Sequence, residues 1–450
     1  HSITTSGSAS TNATSSLITL ATGTTINSRS EVESRKRLRY RPGQGIVARF
    51  TAKFTVGVAN SFQGAGVSNE ESGVYVGYSG TQFGITYIKD GVREIETLTI
   101  TTASTTNQNI TVTLDGVAFS VAVTNSASTV KTAYEISKGT YTGWDAEASG
   151  STVRFVARTC GDKAGAFSIT ATTAVGAFVE TLKGVTPTTS FIPQTSFNGD
   201  KLDGTGPEGF TIDPTKLNIF QFGIQYLGAG IIYLDCEVVS PSGDVNWVRV
   251  HTILNPNTLL IPNFNNPSFP FKLLVESQGS TTNLTMSSAS YVGFIEGKKF
   301  LQGNRFSYFN TLTTVTAAAY QVLFTVRNDQ VYSSKKSQAV VNLLSVAAAA
   351  KHTQPVAIFL IRNATLAGTP NFASYSSISA TDWDTAATTA TFSDNSQLIW
   401  SGQLPETGSF QFTFDDEVTL QPGETVSVCA RSSTGTPSYV TASLNTREDI

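Results

Sequence analysis

His251 is the residue whose neighbours come closest to forming an acid–base site. Three carboxylates lie in adjacent predicted strands or turns: Asp235, Glu237 and Asp244. A histidine beside carboxylates can transfer protons near neutral pH. His251 itself lies within a strand pattern, where a structural or solvent-exposed role is favoured over that of a catalytic base. We therefore assign no catalytic residue and predict that the chain is not an enzyme.

Two further motifs suggest chemistry that their contexts do not support. The segment Gly204–Gly209 matches the glycine pattern of dinucleotide-binding loops, but no apolar strand precedes it and no helix pattern follows. The acidic run Asp415–Glu417 lacks the spacing of a calcium loop and favours a solvated strand end over a glycosidase pair. Cys160, Cys236 and Cys429 are far apart and form no CxxC pair, which favours core positions. We predict no metal site and no cofactor.

A basic run from Arg35 to Arg41 contains five Lys or Arg residues in seven positions. Alternate residues of a strand share a face, so the run predicts a row of arginines. The row consists of Arg35, Arg37, Arg39 and Arg41. Like charges along one sheet face favour acidic partners, on this chain or on a neighbouring subunit. We predict an assembly contact, with a solvated face and a nucleic-acid site as the alternatives.

Three tryptophans could stack on sugar rings as in lectin-like sites. Trp247 and Trp400 lie in strand patterns, which predicts core positions. Trp383 lies between two aspartates in a predicted turn. We therefore predict that Trp383 is exposed and is a candidate contact for a glycan or another surface ligand.

The composition predicts a mainly β, multidomain protein. Charged residues make up 14% of the 450 residues, against about 25% in a typical globular protein. Few Glu, Lys and Arg residues disfavour helices, whereas abundant Thr and Val favour strands. The net charge of -3 gives no general reason to expect nucleic acid or an anionic membrane as a partner. No apolar run approaches the roughly 20 residues of a membrane span.

Short apolar runs separated by Gly, Asn and Asp turns predict antiparallel sheets in two sandwich domains of the jelly-roll type. In Ile46–Val58, strict alternation places one face in a core and the other in water. A hairpin is predicted at Asp115-Gly116, and a helix at Val130–Ser137 with Ser128 as its N-cap. The predicted domains are a flexible arm (1–16), a discontinuous β-sandwich of jelly-roll or lectin-like type (17–93 with 188–296), a small α+β or all-β module inserted into it (94–187), a linker (297–310) and a C-terminal β-sandwich (311–450).

Several segments resemble β-rich virion structural proteins of large DNA viruses and some marine phages. They are Arg39–Gly45 leading into Ala48–Thr51, then Gly57–Ser61, Gly73–Gly80, Ile212–Asn218, Gln225–Gly230 and Asn265–Ser268. The resemblance spans most of residues 30–310 outside the inserted module. The C-terminal stretch Leu420–Val426 is similar to virion sandwich domains, less specifically.

The resemblance implies a capsid, vertex, tail or fibre protein that assembles in the host cytoplasm and resides in the virion. Its expected partners are other virion proteins and further copies of itself in a homo-oligomer, with a trimer favoured. A receptor- or glycan-binding attachment protein is the main alternative, and it would need an exposed aromatic pocket on loops. A tail polysaccharide-degrading enzyme would need a carboxylate cleft that the sequence does not locate.

Overall fold

The chain divides into two compact units. The computed structural model describes residues 2–40, 43–225, 227–240, 242–264, 267–297, 303–317, 319–351, 355–405, 407–414, 418–433 and 438–449. The first unit combines His1–Val92 with Val185–Lys299, and the second combines Arg93–Gly184 with Phe300–Ile450. The first unit is therefore discontinuous in sequence.

The secondary structure is almost entirely strand. The first unit opens with β1 (Ser2–Ser6), β2 (Ser10–Thr14), β3 (Leu17–Ala21), β4 (Arg29–Leu38), β5 (Ile46–Phe54), β6 (Ser61–Ser68), β7 (Gly73–Ser79) and β8 (Gln82–Lys89). The second unit opens with β9 (Arg93–Thr102), β10 (Gln108–Leu114), β11 (Val117–Val123), α1 (Thr129–Ser137), β12 (Trp144–Ser149), β13 (Thr152–Cys160), β14 (Ser168–Thr170) and β15 (Val175–Leu182).

Each unit is completed by a later stretch of chain. The first unit continues with β16 (Thr188–Pro193), β17 (Asn218–Ile224), β18 (Ile232–Val239), β19 (Val245–Ile253), β20 (Phe269–Ser277), β21 (Thr285–Ser288) and β22 (Tyr291–Ile295). The second continues with β23 (Asn304–Val315), β24 (Tyr320–Asn328), β25 (Val331–Tyr332), β26 (Lys335–Lys336), β27 (Val340–Lys351), β28 (Val356–Arg362), β29 (Thr365–Gly368), β30 (Ala373–Ser374), β31 (Thr381–Asp384), β32 (Ala387–Thr391), β33 (Leu398–Leu404), β34 (Thr407–Thr413), β35 (Thr419–Leu420), β36 (Thr425–Ser432) and β37 (Ser438–Asp449). Gln194–Ser196 and Asn395–Gln397 are short 3-10 helices.

The first unit is a sandwich of two antiparallel sheets. One sheet has the order β1-β4-β20-β6-β7-β8-β16, and the other has the order β19-β18-β17-β5-β21-β3-β2, with β22 also paired to β5. The alternation predicted for Ile46–Val58 is present, because β5 buries every second residue. Phe50 lies at the centre of the core, with its ring centroid 5.2 Å from that of Phe271 and 6.1 Å from that of Phe220.

The flexible arm predicted for residues 1–16 is wrong for residues 2–14. β1 pairs with β4, and β2 pairs with β3, all in antiparallel register. These Ser- and Thr-rich strands bury almost no side chain. Backbone hydrogen bonds to a neighbouring strand can hold such an edge without apolar periodicity, which is why the side-chain pattern gave no signal.

The second unit contains a small α+β part and a sandwich. The α+β part has sheets of order β11-β10-β14 and β12-β13-β9-β15 with α1 beside them. The Ser128 side chain caps α1 by accepting from the N–H of Lys131. The sandwich has sheets of order β23-β37-β27-β34 and β29-β32-β24-β36-β28-β33. β23 begins at Asn304, inside the predicted linker, so the sandwich starts earlier than the predicted residue 311. Within the described residues, no helix has the length and hydrophobicity needed to cross a membrane.

The α+β part packs with the second sandwich in one compact unit. Tyr134, Ala148 and Phe372 share a small apolar cluster. The N–H of Gly150 donates to the carbonyl of Phe372 at 2.9 Å. The sequence predicted a module (94–187) inserted into the first sandwich, and the structure groups residues 93–184 with the second unit. Its packing against residues of the C-terminal stretch is a long-range feature that the sequence did not indicate.

A buried ion-pair network in the first unit joins β4, β20 and the turn after β6. The Lys272 network consists of Arg29, Glu31, Glu33, Glu70 and Lys272. Lys272 Nζ lies 2.6 Å from Glu70, 3.0 Å from Glu31 and 3.6 Å from Glu33, and the residue has no exposed surface. Burial alone would lower the pKa of Lys272, but the neighbouring carboxylates outweigh it and raise the pKa.

A second buried network, in the second unit, has one central cation. The Arg327 network consists of Glu147, Arg327, Asp329 and Asp382. Arg327 lies 2.6 Å from Asp382, 3.2 Å from Asp329 and 3.6 Å from Glu147. Arg154 approaches Glu147 at 3.9 Å from a partly exposed position. Burial raises the pKa of Glu147, and burial together with the Glu147 charge raises that of Asp329.

Candidate interaction face

The outer surface of the sheet β19-β18-β17-β5-β22 carries the most distinctive exposed side chains of the first unit. Phe50, Phe220 and Leu234 point into the core. Their strand neighbours therefore point outward, because successive side chains alternate between faces. We define the aromatic–arginine face by Arg49, Gln221, Tyr233, Asp235, Trp247, Arg249 and Phe294.

One stack on this face is centred on Arg49. Its guanidinium lies 4.5 Å from the centre of the Trp247 ring and 5.9 Å from that of Phe294. Gln221 Oε1 accepts hydrogen bonds from Arg49 Nη2 at 2.7 Å and from Nε at 3.1 Å, which fixes the plane of the guanidinium. Trp247 is 38% exposed and Phe294 is 47% exposed. Both rings therefore present area that a partner could bury.

A second stack is centred on Tyr233. The Arg249 guanidinium lies 3.7 Å from the centre of the Tyr233 ring. Asp235 pairs with Arg249 and accepts from Gln221 Nε2 at 3.3 Å, which connects the two stacks. Gly223 leaves room for the ring, because a Cβ there would overlap Tyr233. Burial raises the pKa of Tyr233, so its phenol stays neutral.

The face combines planar groups, and Arg49, Gln221, Asp235 and Arg249 bond to one another across it. Aromatic and arginine side chains are enriched in the cores of protein interfaces and supply most hot spots. Exposed valines extend the apolar area, among them Val239, Val245 and Val292. Cation–π contacts and hydrogen bonds hold the planes before binding, so less side-chain entropy is lost when a partner covers them.

The structure does not form the predicted row of arginines. Glu33 pairs with Lys272 and Arg37 pairs with Pro270, so β4 carries extra residues between these positions. Such a bulge interrupts the alternation on which the row depended. Arg35 is exposed in the bulge, and Arg37 lies 3.4 Å from Glu33 on its own strand.

The other two arginines of the row are Arg39 and Arg41. Arg39 follows the end of β4 at Leu38, and Arg41 lies outside the described residues. The assembly contact assigned to these arginines stays a prediction, but it cannot rest on a regular strand face.

The exposure of Trp247 and of Trp383 is the reverse of what the sequence predicted. Trp383 is not in an exposed turn: it is half-buried in β31, with its ring centre 5.4 Å from that of Tyr375. Trp400 is half-buried beside Phe410. Trp247, predicted in the core, lies on the outer face because of its position in the alternation of β19. The spacing of Trp247 and Arg249 in Val-Asn-Trp-Val-Arg-Val places them on one face of the strand, but it does not indicate which face is buried.

His251 and the nearby carboxylates are not brought together. His251 is buried, its Nδ1 accepts from the N–H of Asn198 at 3.2 Å, and burial lowers its pKa. Asp235 instead pairs with Arg249. The acidic run 415–417 lies outside the described residues. Over the described ranges, no set of three or more His, Cys, Asp or Glu side chains is placed to hold a metal ion.

The glycine-rich loop forms a turn, and Cys236 and Cys429 are buried in the core. Asp203 accepts from the N–H of Thr205 at 3.0 Å, a turn-forming contact at the start of Gly204–Gly209. Burial raises the pKa of Cys236 to about 12 and also raises that of Cys429. These two thiols are thereby held protonated, as expected of core residues.

Comparisons with known proteins do not identify a family for this chain. No family model matches the sequence, and no curated protein matches it. One similar chain comes from the structure of infectious bursal disease virus Gx strain. The alignment covers 94% of the present chain and 72% of the viral chain, at 11% sequence identity and a TM-score of 0.18. A score this low does not demonstrate a shared fold.

Proposed function

We propose that the chain is a structural subunit of a virus particle and acts through protein–protein assembly. The aromatic–arginine face is the observation that carries the proposal. It offers Trp247, Phe294 and Tyr233 with two stacked guanidinium groups on a flat sheet surface. That composition matches the centre of a protein interface.

The polar groups of the face favour a protein partner over a sugar. A glycan is recognised by stacking together with hydrogen bonds to its hydroxyl groups. Gln221 and Asp235 already bond to Arg49 and Arg249. These four polar side chains are thereby engaged with one another, and the exposed rings of Trp247 and Phe294 suit burial under another protein surface.

The assignment to a virus particle is supported by the resemblance of residues 30–310, outside the inserted module, to virion structural proteins. Within that proposal, the chain is a capsid, vertex, tail or fibre component that assembles in the host cytoplasm, and a trimer is favoured. A charged fraction of 14% supports this, because few charges need to be desolvated when subunits associate. We propose no enzymatic activity.

Mass in solution combined with a glycan-binding screen tests the proposal. We expect a defined homo-oligomer in sedimentation velocity and no sugar bound with a defined affinity. A strict monomer that binds a sugar would overturn the structural role and favour an attachment protein. Imaging of particles with labelled protein would then test the position in the virion.

A further inference from the structure

Two loops at one end of the first unit expose aliphatic side chains to solvent. One loop joins β17 to β18, and the other joins β19 to β20. We define the aliphatic tip by Leu227, Leu254, Leu260 and Ile261. Their exposed fractions are 74%, 64%, 102% and 65%. Leu260 thus has no protein cover at all, which is costly for an aliphatic side chain that remains in water.

The two loops are tied to each other and to the end of the sheet. Ile224 pairs with Ile232, which in turn pairs with Ile253, so both loops leave the same end of the sheet. The N–H of Asn263 donates to the carbonyl of Gly228 at 2.7 Å. Asn255 Nδ2 donates to the carbonyl of Gly230, also at 2.7 Å. The tip is therefore a built feature rather than a frayed loop.

The backbone of the tip holds its aliphatic residues outward. Leu227 has a φ of 39°, in the left-handed region that a leucine rarely adopts. The second loop contains a turn in which the N–H of Thr258 donates to the carbonyl of Asn255 at 3.1 Å. A strained leucine and a closed turn that both present apolar side chains to water indicate a functional constraint.

The chemistry of the tip is uniformly uncharged. The sequence contains no Asp, Glu, Lys, Arg or His from Thr252 to Phe271, and none from Gln225 to Leu234. The basic run approaches the base of the second loop, and the acidic Glu296 follows β22 at the same end of the sheet. β4 ends opposite Phe269, the first residue of β20, and the N–H of Tyr40 donates to Ser268 Oγ at 3.3 Å. The basic run thus reaches the end of the second tip loop, and its Lys36 is exposed.

We infer that the aliphatic tip inserts into a lipid bilayer with anionic headgroups. An aliphatic projection with a basic run at the base of one of its loops suits the interface of such a bilayer, where apolar groups enter below the headgroups and cations lie near them. Leu260 protrudes fully, which suits a deformable apolar phase better than the flat packing that the aromatic–arginine face offers. The inference goes beyond the proposed assembly role and concerns a different surface.

Vesicle co-sedimentation of the full chain tests the inference. The probes are vesicles of phosphatidylcholine alone and of equal parts phosphatidylcholine and phosphatidylserine. We expect the chain to pellet with the anionic vesicles, less so in high salt. Leu260→Ser together with Ile261→Ser should weaken binding at least about tenfold, since two aliphatic side chains are lost. Val175→Ser with Val179→Ser, which changes exposed valines on β15, is the matched control and should bind like the natural sequence.

Two further readouts keep the test decisive. Leu260→Trp should show stronger fluorescence quenching by brominated lipids than the unsubstituted chain. The tip variant should keep the unfolding midpoint and the oligomeric mass of the natural sequence, because its side chains are exposed. Failure of the unsubstituted chain to bind either vesicle, or equal binding by the tip variant, would overturn the inference. A lowered oligomeric mass of the tip variant would assign the tip to a subunit contact and overturn it as well.

Discussion

The two units present different sheet faces to solvent. The aromatic–arginine face of the first unit carries large planar side chains, with Trp247 and Phe294 well exposed. In the second unit, the middle of the outer surface of the sheet β23-β37-β27-β34 carries mainly small uncharged side chains, with the exposed ring of Phe309 as the exception. We define this neutral face by Ser307, Phe309, Thr311, Ala347, Ala349, Ser409, Gln411, Thr413, Thr441, Ser443 and Asn445. Both faces arise from the same alternation, since Val440, Ala442 and Leu444 of β37 point into the core.

The difference shows that an exposed sheet face is not by itself a binding surface. Burial energy grows with the apolar area removed from water, at roughly 25 cal/mol per Å². Serine, threonine and alanine offer little such area, whereas tryptophan, phenylalanine and arginine offer much. The energy of association is therefore expected on the first unit.

The units also differ in how they bury charge. In the Lys272 network, Lys272 and Arg29 face three carboxylates at short range. In the Arg327 network, a single fully buried cation faces three carboxylates. In the second network, burial raises the pKa values of Glu147 and Asp329, which favours retention of a proton there.

The largest loss of stability is expected from disrupting the Lys272 network. Lys272→Met leaves Glu31, Glu33 and Glu70 without their shared partner and should lower the free energy of unfolding by about 3–5 kcal/mol. Urea unfolding measures this loss. Lys53→Met, on the exposed side of β5, is the control and should change stability by less than about 0.5 kcal/mol. A loss below about 1 kcal/mol for Lys272→Met would show that the network is not important for stability.

The stability of the second unit should fall as pH rises from 4.5 toward 7, whereas an ordinary carboxylate ion pair gains stability as pH rises. Burial together with the charges of Glu94 and Glu180 raises the pKa of Glu96 to about 7. A raised carboxyl pKa gives stability that is present below the unfolded value of 4.5 and is lost as pH rises toward 7. The loss should approach about 1.4 kcal/mol per pH unit for each proton. Hydrogen exchange in β9 at several pH values measures it.

A matched substitution isolates the source of this pH dependence. Glu96→Gln keeps the shape of the side chain and removes its titration, so the slope between pH 4.5 and 7 should flatten. Glu208→Gln, in a loop of the first unit and outside this cluster, should leave the slope unchanged. A second unit that becomes more stable as pH rises through this window would contradict the assigned sign.

A smaller loss of stability is expected when a side chain is introduced at Gly223, beneath the Tyr233 ring. Gly223→Ala places a Cβ where the ring now lies and should destabilise the first unit by about 1–3 kcal/mol. The ring must move, which also disturbs its stack with Arg249. In a Tyr233→Ala background the same change should cost much less. Equal losses in both backgrounds, measured by urea unfolding, would show that the ring does not rest on Gly223.

The smallest effect is expected on the neutral face. Ser443→Ala with Gln411→Ala should change the free energy of unfolding by less than about 0.5 kcal/mol and leave the mass in solution unchanged. Sedimentation velocity checks the mass. Dissociation of this variant would remove the contrast between the two faces.

The sequence could predict the local structure because its signals are local. Alternation over Ile46–Val58 reports β5, the Asp115-Gly116 pair forms the turn between β10 and β11, and Ser128 caps α1. Each signal depends on residues within one or two turns of one another.

The candidate face could not be predicted because it depends on register between distant strands. Arg49 meets Trp247 across two intervening strands, almost two hundred residues later in the chain. Alternation alone cannot tell which face of β19 is buried, and this misplaced Trp247 in the core. The bulge in β4 has no sequence signature of its own, so the arginine row could not be corrected in advance.

Sedimentation velocity of a face variant beside its control tests the assembly claim most directly. Trp247→Ala with Arg49→Ala removes the main stack, and Ser443→Ala with Gln411→Ala, two alanine substitutions on the neutral face, is the control. We predict that the first variant associates at least about thirtyfold more weakly, corresponding to about 2 kcal/mol, while the control keeps the mass of the natural sequence. Retention of the full oligomer by the face variant would contradict the account.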